Sequence, residues 1–438
     1  MKGNALEISV AVAAFLVVTM LEPVGCSRPV PHTQGPIDQE VYVWQRAWDG
    51  AVQDAISETS PTPAGAVVLA AEVSFDEGQP SIVRVSVDYE ALKQSGIPAG
   101  LALRIGPYPG PFSATDDVAS MLSELAAELV SRAEESGLAV NELEIDFDCA
   151  ESKLDGYRVW AQALRRAVEP VPLILTALPS WLRHREFRRL AAAADGYVLQ
   201  VHSLEAPESI DDEFSLCDPE RSLEWIEQAA RLRLPFRVAL PTYGYLVAFD
   251  SDGAFIGLSA EGPLLAWPED TQLREIRSDP IEMADLVSAL TRDRPENLVG
   301  LIWYRMPVAS DRLNWPWPTL RAVMEGRHPL SSLRAEPVHS QSGLVDIELV
   351  NDGELAEISD VLISINWAES RLLAYDVLNG FVLASEGPVV ADGSRRLELF
   401  GPSGPMRDRL APGERRLVAW LRFERETEVS LDVSQVPH

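Results

Sequence analysis

Between residues 40 and 325, short runs rich in β-branched and apolar residues alternate with stretches that carry apolar residues at helical spacing. Strands that alternate with helices form parallel sheets, and eight such units in about 290 residues predict an α/β fold, a closed (β/α)8 TIM barrel. The alternative is an open doubly wound sheet, but no glycine-rich phosphate loop follows any of the strands. The predicted strands are Val41–Trp44, Ala66–Val73, Gly100–Ile105, Glu142–Asp148, Leu173–Ala177, Gly196–His202, Phe236–Leu240 and Leu298–Trp303.

Beyond Pro329 the pattern changes to short strand-like runs separated by Asn-Asp-Gly, Gly-Pro and Ala-Pro-Gly turns. Helical periodicity is nearly absent there, which predicts a C-terminal β-sandwich of about 100 residues. We therefore expect a TIM-barrel domain over residues 39–328 and a β-sandwich domain over residues 336–438. The expected sandwich strands are Val345–Val350, Val361–Trp367, Phe381–Ser385, Arg395–Phe400, Arg416–Phe423 and Val429–Val433.

The amino terminus has the pattern of an export signal. Lys2 precedes the mostly apolar run Ile8–Leu21, which has signal-peptide length and is too short for a comfortable membrane span. A Gly-Cys pair ending at Cys26 resembles a bacterial lipobox, which implies cleavage after residues 1–25 and lipidation of Cys26. Residues 26–38 would then be a Pro-rich tether. We expect an exported lipoprotein that is anchored in a membrane and faces the periplasm or the cell exterior; a plain signal peptide cut nearby is the alternative.

The charge balance restricts the partners of this chain. It carries 37 basic and 67 acidic residues, a formal net charge of −30. A surface this acidic repels phosphate backbones, so we expect no nucleic-acid partner. The cysteines and histidines show no zinc spacing, and we expect neither a metal nor a cofactor. Cys149 and Cys217 either pair or stay as separate buried thiols, and the sequence favours neither.

The fourth predicted strand carries the strongest chemical signal. Alternation places Glu144, Asp146 and Asp148 on one face and apolar side chains on the other. In a barrel the apolar face packs beneath the helices, so the carboxyls point inward and toward the C-terminal mouth. Like charges about 7 Å apart raise at least one pKa, and a raised pKa beside an ionised neighbour suits acid catalysis. The alternative is an internal salt-bridge network without chemistry.

The spacing of these acids resembles the Asp-x-x-Asp-x-Asp-x-Glu signature of family 18 glycoside hydrolases, the chitinases and their relatives. Asn141 takes the first Asp of that signature, Glu144 the second, Asp146 the third and Asp148 the final Glu; only Asp146 is identical. The resemblance implies that Asp148 is the general acid/base, that Asp146 stabilises the reacting sugar or acts as nucleophile, and that Glu144 orients Asp146. Asp148 is one methylene shorter than Glu, which withdraws its carboxyl by about 1.5 Å.

Later strands are also similar to that family. The Ala-Leu-Pro-Thr-Tyr-Gly run from Ala239 looks like its strand seven, and the Gly-Leu-Ile-Trp-Tyr run from Gly300 looks like its strand eight. The Trp that floors the sugar pocket in the family would be Trp303 or Tyr304. Strand six departs, because Gln-Val-His, ending at His202, replaces the family's Tyr-Asp pair.

A second resemblance is closer. From Tyr42-Val-Trp-Gln-Arg46 to Leu143-Glu-Ile-Asp-Phe-Asp148, the sequence resembles an uncharacterised bacterial family, domain of unknown function 3142. That resemblance implies a fold and no activity.

Aromatic, arginine and histidine side chains fall at or just past the predicted strand ends, where barrel sites are built. Aromatic faces stack on sugars, and Arg and His can bond sugar hydroxyls. Arg46, Arg104 or Arg305 could equally be a structural counter-ion for the strand-four acids. The predicted substrate-binding residues are Trp44, Arg46, Arg104, Tyr108, His202, Tyr243, Trp303, Tyr304 and Arg305.

Together these patterns favour an exported protein that hydrolyses glycosidic bonds of a polysaccharide or oligosaccharide with its strand-four carboxyls. One alternative is a catalytically inactive lipoprotein that binds glycans, and the reach of Asp148 to a glycosidic oxygen would distinguish the two. Another alternative is an envelope interaction protein whose sandwich docks a partner, which an exposed apolar patch on the sandwich would favour.

Overall fold

A TIM barrel followed by two antiparallel sheets makes up the described chain. The computed structural model describes residues 29–57, 63–114, 116–202, 207–212, 214–259, 267–356, 361–368, 370–387, 395–401 and 409–435. The predicted signal peptide, Cys26 and the start of the tether lie outside these residues. No helix in the described ranges is long and apolar enough to cross a membrane.

Eight parallel strands close the barrel, which confirms the predicted fold class. The closing pairs join β1 (Asp38–Val43) to β8 (Leu298–Tyr304), where Val41 lies opposite Trp303. They also join β1 to β2 (Gly65–Asp76), where Glu40 lies opposite Gly65. Most strands are runs of Val, Leu, Ile and Ala, as expected where a sheet is covered on both faces. The strands are β1 Asp38–Val43, β2 Gly65–Asp76, β3 Ala99–Ile105, β4 Val140–Asp146, β5 Leu173–Ala177, β6 Gly196–Gln200, β7 Phe236–Pro241 and β8 Leu298–Tyr304.

Each barrel strand is followed by a helix that packs against the outside of the sheet. Asp116, Asp218 and Asp279 cap the third, sixth and seventh helices by accepting hydrogen bonds from backbone amides of the first turn. These caps fix where the helices begin, because they satisfy amides that have no partner within the helix. The helices are α1 Gly50–Ser57, α2 Tyr89–Ser95, α3 Asp117–Glu135, α4 Leu154–Val168, α5 Arg185–Ala191, α6 Pro219–Ala230, α7 Pro280–Arg292 and α8 Trp317–Met324.

Two additions that the sequence did not predict extend the barrel at its C-terminal end. β2 continues past the barrel and forms an antiparallel hairpin with Gln79–Arg84. Between β7 and α7, the strands Gly244–Phe249, Phe255–Ser259 and Gln272–Arg277 form a small antiparallel sheet. The sheet packs its apolar face, including Val247, against Tyr243 and Tyr304 of the barrel.

The C-terminal part is a β-sandwich, as predicted, with four strands in each sheet. The sheets run β9–β10–β15–β12 and β13–β14–β11–β16, and their inner faces enclose a separate apolar core. The sequence did not predict β9 or β12, because both are edge strands without a buried position and therefore lack a clear buried–exposed alternation. The strands are β9 Leu333–Gln341, β10 Leu344–Asn351, β11 Val361–Trp367, β12 Leu372–Val377, β13 Val382–Gly387, β14 Arg395–Phe400, β15 Arg415–Phe423 and β16 Val429–Gln435.

Ion pairs link the sandwich to the barrel at two places. Arg327, just after α8, pairs with Glu354 at 2.6 Å, and Arg409 of the sandwich pairs with Glu275 of the small antiparallel sheet at 2.7 Å. The second pair ties the sandwich to the element that packs behind Tyr304. Cys149 and Cys217, the two cysteines in the described residues, are free and buried.

Candidate functional site

A ladder of carboxyls runs along the inside of β4 from the floor of the barrel to its mouth. Glu142, Glu144 and Asp146 occupy successive inward positions, and Asp148 follows two residues after the strand ends. The predicted strand extended to Asp148, but the observed strand ends at Asp146. Asp148 therefore lies in the loop above the barrel, where it is exposed to solvent.

The floor of the barrel is an ion cluster centred on Arg237 of β7. Its guanidinium pairs with Glu40 and lies 2.5 Å from Oε1 of Glu142 and 3.6 Å from Oε2 of Glu144. Glycine provides the space, since a Cβ at Gly100 would lie 2.7 Å from Cγ of Glu142. One buried cation thus serves three carboxyls, and breaking such a cluster leaves uncompensated charge in the interior. The alternative of an internal salt-bridge network therefore describes this lower level of the ladder.

Glu144 is fully buried above this floor. Its Oε1 accepts a hydrogen bond of 2.6 Å from the phenol of Tyr42, and its Oε2 has no hydrogen-bond partner among the described residues. Burial raises the pKa of Glu144 to about 8, although the positive charge of Arg237 acts to lower it. The side chain is therefore mostly protonated at neutral pH. The observed contact of Glu144 is with Tyr42 and not with Asp146, the residue that it was expected to orient.

Asp146 is the last residue of β4, and side chains from β5 and β6 hold its carboxyl in place. Oδ1 accepts hydrogen bonds from Thr176 Oγ1 at 3.1 Å and Gln200 Nε2 at 3.3 Å, and Oδ2 lies 3.7 Å from Nε of Arg104. Burial raises the pKa of Asp146, although all three neighbours favour its ionised form. Asp146 is thus a fixed carboxyl with 12% of its side chain exposed, facing the mouth.

Asp148 sits beside Asp146 at the open end of the barrel. Withdrawal from bulk water by the surrounding walls, followed by the charge of Asp146, raises the pKa of Asp148 to about 6. Arg104 acts in the opposite direction. The two aspartates therefore form a pair in which the ionisation of one opposes the ionisation of the other.

One side of the mouth is an aromatic wall formed by Trp44, His202, Tyr243 and Tyr304 from four strands or their ends. The Tyr304 ring lies 5.6 Å from Trp44, 5.4 Å from Tyr243 and 5.6 Å from His202 between centroids. His202 stacks on Tyr304, and its Nδ1 lies 3.2 Å from the Tyr243 hydroxyl. Burial lowers the pKa of His202 to about 4, so the imidazole is neutral at ordinary pH. Trp44, His202 and Tyr304 are partly exposed and Tyr243 is buried, so the first three offer ring faces of the kind on which sugars stack.

The other side is a charged wall formed by Arg46, Glu72 and Arg104. Glu72 accepts two hydrogen bonds from the Arg46 guanidinium at 2.5 and 2.9 Å, an arrangement that lowers the pKa of Glu72. Arg104 stands between Glu72 and Asp146, at 3.7 Å from each. The charged wall therefore continues directly into the aspartate pair.

Two of the predicted binding residues, Trp303 and Tyr108, are placed away from the mouth, and a third, Arg305, is engaged in an ion pair next to Tyr304. Trp303 is fully buried between the barrel and its helices, where its Nε1 donates to Gln39 at 3.0 Å. Its side chain is on the opposite face of β8 from Tyr304, so Trp303 cannot be the floor of a sugar site. Tyr108 packs in a separate aromatic cluster with Trp160 at 5.0 Å, and Arg305 pairs with Asp311 to hold the loop after β8.

Sequence reasoning missed five residues that shape the site: Tyr42, Glu72, Thr176, Gln200 and Arg237. Arg237 left a signal, because a lone arginine within the apolar run of β7 requires buried acidic partners. Glu72 left a similar signal within β2. Thr176 and Gln200 gave no such signal, since their contacts with Asp146 depend on the closure of the barrel.

A family model described as Domain of unknown function (DUF3142) matches residues 65–309, more than half of the chain. The chain belongs to this family. The matched region begins at β2 and ends in the loop after β8, so the DUF3142 match contains the aspartate pair, Glu72, Arg104 and most of the aromatic wall. Trp44 and Arg46 precede it. No curated protein matches the sequence.

Solved structures similar to this DUF3142 protein include three bacterial proteins of low sequence identity. A chitinase from Chromobacterium violaceum is 16% identical with a TM-score of 0.44, covering 66% of this chain and 99% of its own. The spore cortex-lytic enzyme SleL from Bacillus cereus is 12% identical with a TM-score of 0.46, covering 68% and 75%. The GH18 chitinase ChiB from Flavobacterium johnsoniae is 13% identical with a TM-score of 0.43, covering 67% and 94%.

Proposed function

We propose that this DUF3142 protein hydrolyses glycosidic bonds of a polysaccharide or oligosaccharide bound across the barrel mouth. The observation that carries the proposal is the pair of Asp146 and Asp148, two carboxyls with raised pKa values at the same C-terminal end of the TIM barrel as the aromatic wall. Barrel enzymes place their reacting groups at this end, and perturbed acids in a concave site are the expected signature of acid catalysis.

The two aspartates would divide the work by their surroundings. Asp148 is exposed and protonated below about pH 6, so it would donate a proton to the glycosidic oxygen as the bond breaks. Asp146 is held in place by Thr176 and Gln200, so its carboxylate would stabilise the positive charge that develops on the sugar or attack the anomeric carbon. Trp44 and Tyr304 of the aromatic wall would support the ring during this step.

Product release from a panel of glycans tests the proposal. The panel contains chitin oligomers, peptidoglycan fragments and exopolysaccharides, and the variants are Asp148→Asn and Asp146→Asn. We expect cleavage of at least one glycan by the native protein and loss of about 100-fold or more of the rate in both variants. Tyr108→Phe is the matched control, since Tyr108 packs away from the mouth. The anomer released would assign retention or inversion.

The absence of cleavage across the panel, with glycan binding unchanged in both variants, would overturn the hydrolase proposal. The protein would then be a glycan-binding lipoprotein, with the acids serving a structural role. Binding without cleavage is the alternative favoured by the short reach of Asp148.

We also propose that the protein is exported and anchored in a membrane through a lipid on Cys26. The Gly-Cys pair and the apolar run before it support this proposal. Metabolic labelling with a radioactive fatty acid tests it: the native chain is expected to incorporate label and Cys26→Ser is not. Equal labelling of both chains, or of neither, would contradict the proposed anchor.

A further inference from the structure

A cavity of about 410 Å³ lies at the rim of the barrel, between the charged wall and the hairpin that extends β2. We call it the rim pocket. Ser74 and Val83 line it from the two strands of the hairpin, and Gly106 lines it from the end of β3. A Cβ at Gly106 would lie 3.2 Å from the carbonyl oxygen of Val73, so glycine lets the two strands approach closely. The volume falls in the range of small-ligand sites.

The Arg46–Glu72 pair supplies one edge of the rim pocket. The bidentate contact orients Arg46 and keeps Glu72 ionised, so that the pair as a whole carries no net charge. Without Arg46, the Glu72 carboxylate would repel any anion in the cavity. Because the Arg46–Glu72 pair is neutral, the net charge of the side chains that line the rim pocket is that of Arg104.

Arg104 differs from Arg46 because no acid is within hydrogen-bond distance of it among the described residues. Its nearest carboxyl oxygens are those of Glu72 and Asp146, each at 3.7 Å, and 45% of its side chain is exposed. A guanidinium carries five N–H donors in a planar fork that matches a carboxylate. Arg104 lines the rim pocket and also lies 3.7 Å from Asp146, so a group bound to it would lie next to the proposed site of cleavage.

We propose that the rim pocket binds a sugar residue bearing a carboxylate, such as a uronic acid, with Arg104 as its main contact. This assignment rests on the proposed function, because it names the class of glycan that would lie across the aspartate pair. The net charge of −30 does not prevent such binding, because charges more than about 8 Å away are largely screened at physiological ionic strength.

Calorimetric titration of the full chain tests the proposal. The probes are trimers of glucuronic acid and of galacturonic acid, each compared with its methyl ester, which keeps the sugar rings, adds one methyl group per carboxyl and removes the charge. We expect at least one acid form to bind about tenfold more tightly than its ester, and Arg104→Gln to abolish that preference. Arg104→Lys should retain part of it, since it keeps the charge and loses the fork.

The matched control is Arg84→Gln. Arg84 belongs to the hairpin that lines the rim pocket, but its guanidinium pairs with Glu128 outside this pocket. This variant should keep the full preference, and circular dichroism checks that all variants are folded. Equal binding of acid and ester by the native chain, no binding of either, or an undiminished preference in Arg104→Gln would each overturn the assignment.

The titration does not depend on cleavage, so the two proposals can fail separately. Preferential binding of an acid trimer without cleavage of any glycan would overturn the hydrolase and leave the rim pocket as assigned. Cleavage of neutral glycans, combined with equal binding of acids and esters, would overturn the rim-pocket assignment alone.

Discussion

The phenol of Tyr42 donates a hydrogen bond of 2.6 Å to Oε1 of Glu144, across the barrel from β1 to β4. The same ring packs edge-on against Trp44 at 5.3 Å and Tyr304 at 5.9 Å between centroids. One side chain thus connects the ion cluster on the floor to the aromatic wall at the mouth. The position of the aromatic wall therefore depends on a buried polar contact as well as on its own packing.

Tyr42→Phe removes this contact while keeping the ring. Glu144 would then have no hydrogen bond on either oxygen among the described residues, and a buried polar group left without a partner costs about 1–3 kcal/mol. We expect the free energy of unfolding to fall by that amount in urea titrations. Tyr108→Phe is the control, and an equal effect of the two variants would contradict the importance of the Tyr42–Glu144 bond.

Arg237→Met removes the only cation that contacts the floor carboxyls among the described residues. The partly buried Glu40 and Glu142 would lose the cation that compensates them, for which a loss of about 3–5 kcal/mol is expected. The loss should be smaller at pH 5 than at pH 7.5, since burial raises the pKa of Glu40 and the lower pH favours its neutral form. Urea titration at both pH values measures it. A pH-independent loss would show that packing, and not charge, is what Arg237 contributes.

Glu144 should make stability depend on pH. Its pKa rises from 4.5 in the unfolded chain to about 8 in the folded protein. A carboxyl with a raised folded pKa contributes stability that is complete below pH 4.5 and is lost as pH rises through about 8. Glu144→Gln cannot titrate, so the slope of unfolding free energy between these values should decrease, by at most about 1.4 kcal/mol per pH unit. Parallel curves for the two proteins would contradict the buried, protonated state of Glu144.

The barrel could be predicted from the sequence because its signal is local. Most strands are apolar runs and each helix has its own periodicity, and the caps at Asp218 and Asp279 mark helix starts in the sequence itself. The hairpin, the small sheet and the edge strands β9 and β12 were missed. Their positions are partly polar, so their strand character depends on pairing partners that are distant in the chain.

The site could be predicted only in part, for a related reason. The ladder on β4 follows from the period-two alternation of one strand, so Asp146 and Asp148 could be found directly. Whether Trp303 or Tyr304 faces the mouth depends on a one-residue difference in strand register, and the sequence alone left both open. Arg237 meets its three carboxyls only when β1, β4 and β7 close around one axis.

Trp44 and Trp303 offer a matched pair of substitutions. Trp44 is half-buried in the aromatic wall, whereas Trp303 is fully buried behind the barrel. Trp44→Leu should weaken glycan binding about tenfold with little effect on the free energy of unfolding. Trp303→Leu should lower the free energy of unfolding by about 2–4 kcal/mol and leave the affinity of the folded protein unchanged. Calorimetric binding and urea titrations measure both. Weaker glycan binding in Trp303→Leu, with unchanged binding in Trp44→Leu, would show that the sugar does not bind at the aromatic wall.

The pH dependence of cleavage should report Asp148. A general acid works only while protonated, and the pKa of this carboxyl is raised from 3.8 to about 6. Above about pH 6 the rate should therefore fall about tenfold per pH unit, which gives the pH profile an alkaline limb. Asp148→Asn should abolish this alkaline limb along with most of the rate. His202→Gln should keep the limb, because His202 has a pKa of about 4 and is already neutral in this pH range. Initial rates between pH 4 and pH 8 on a cleaved glycan measure the limb. If the limb disappears in His202→Gln and persists in Asp148→Asn, the titrating acid is not Asp148.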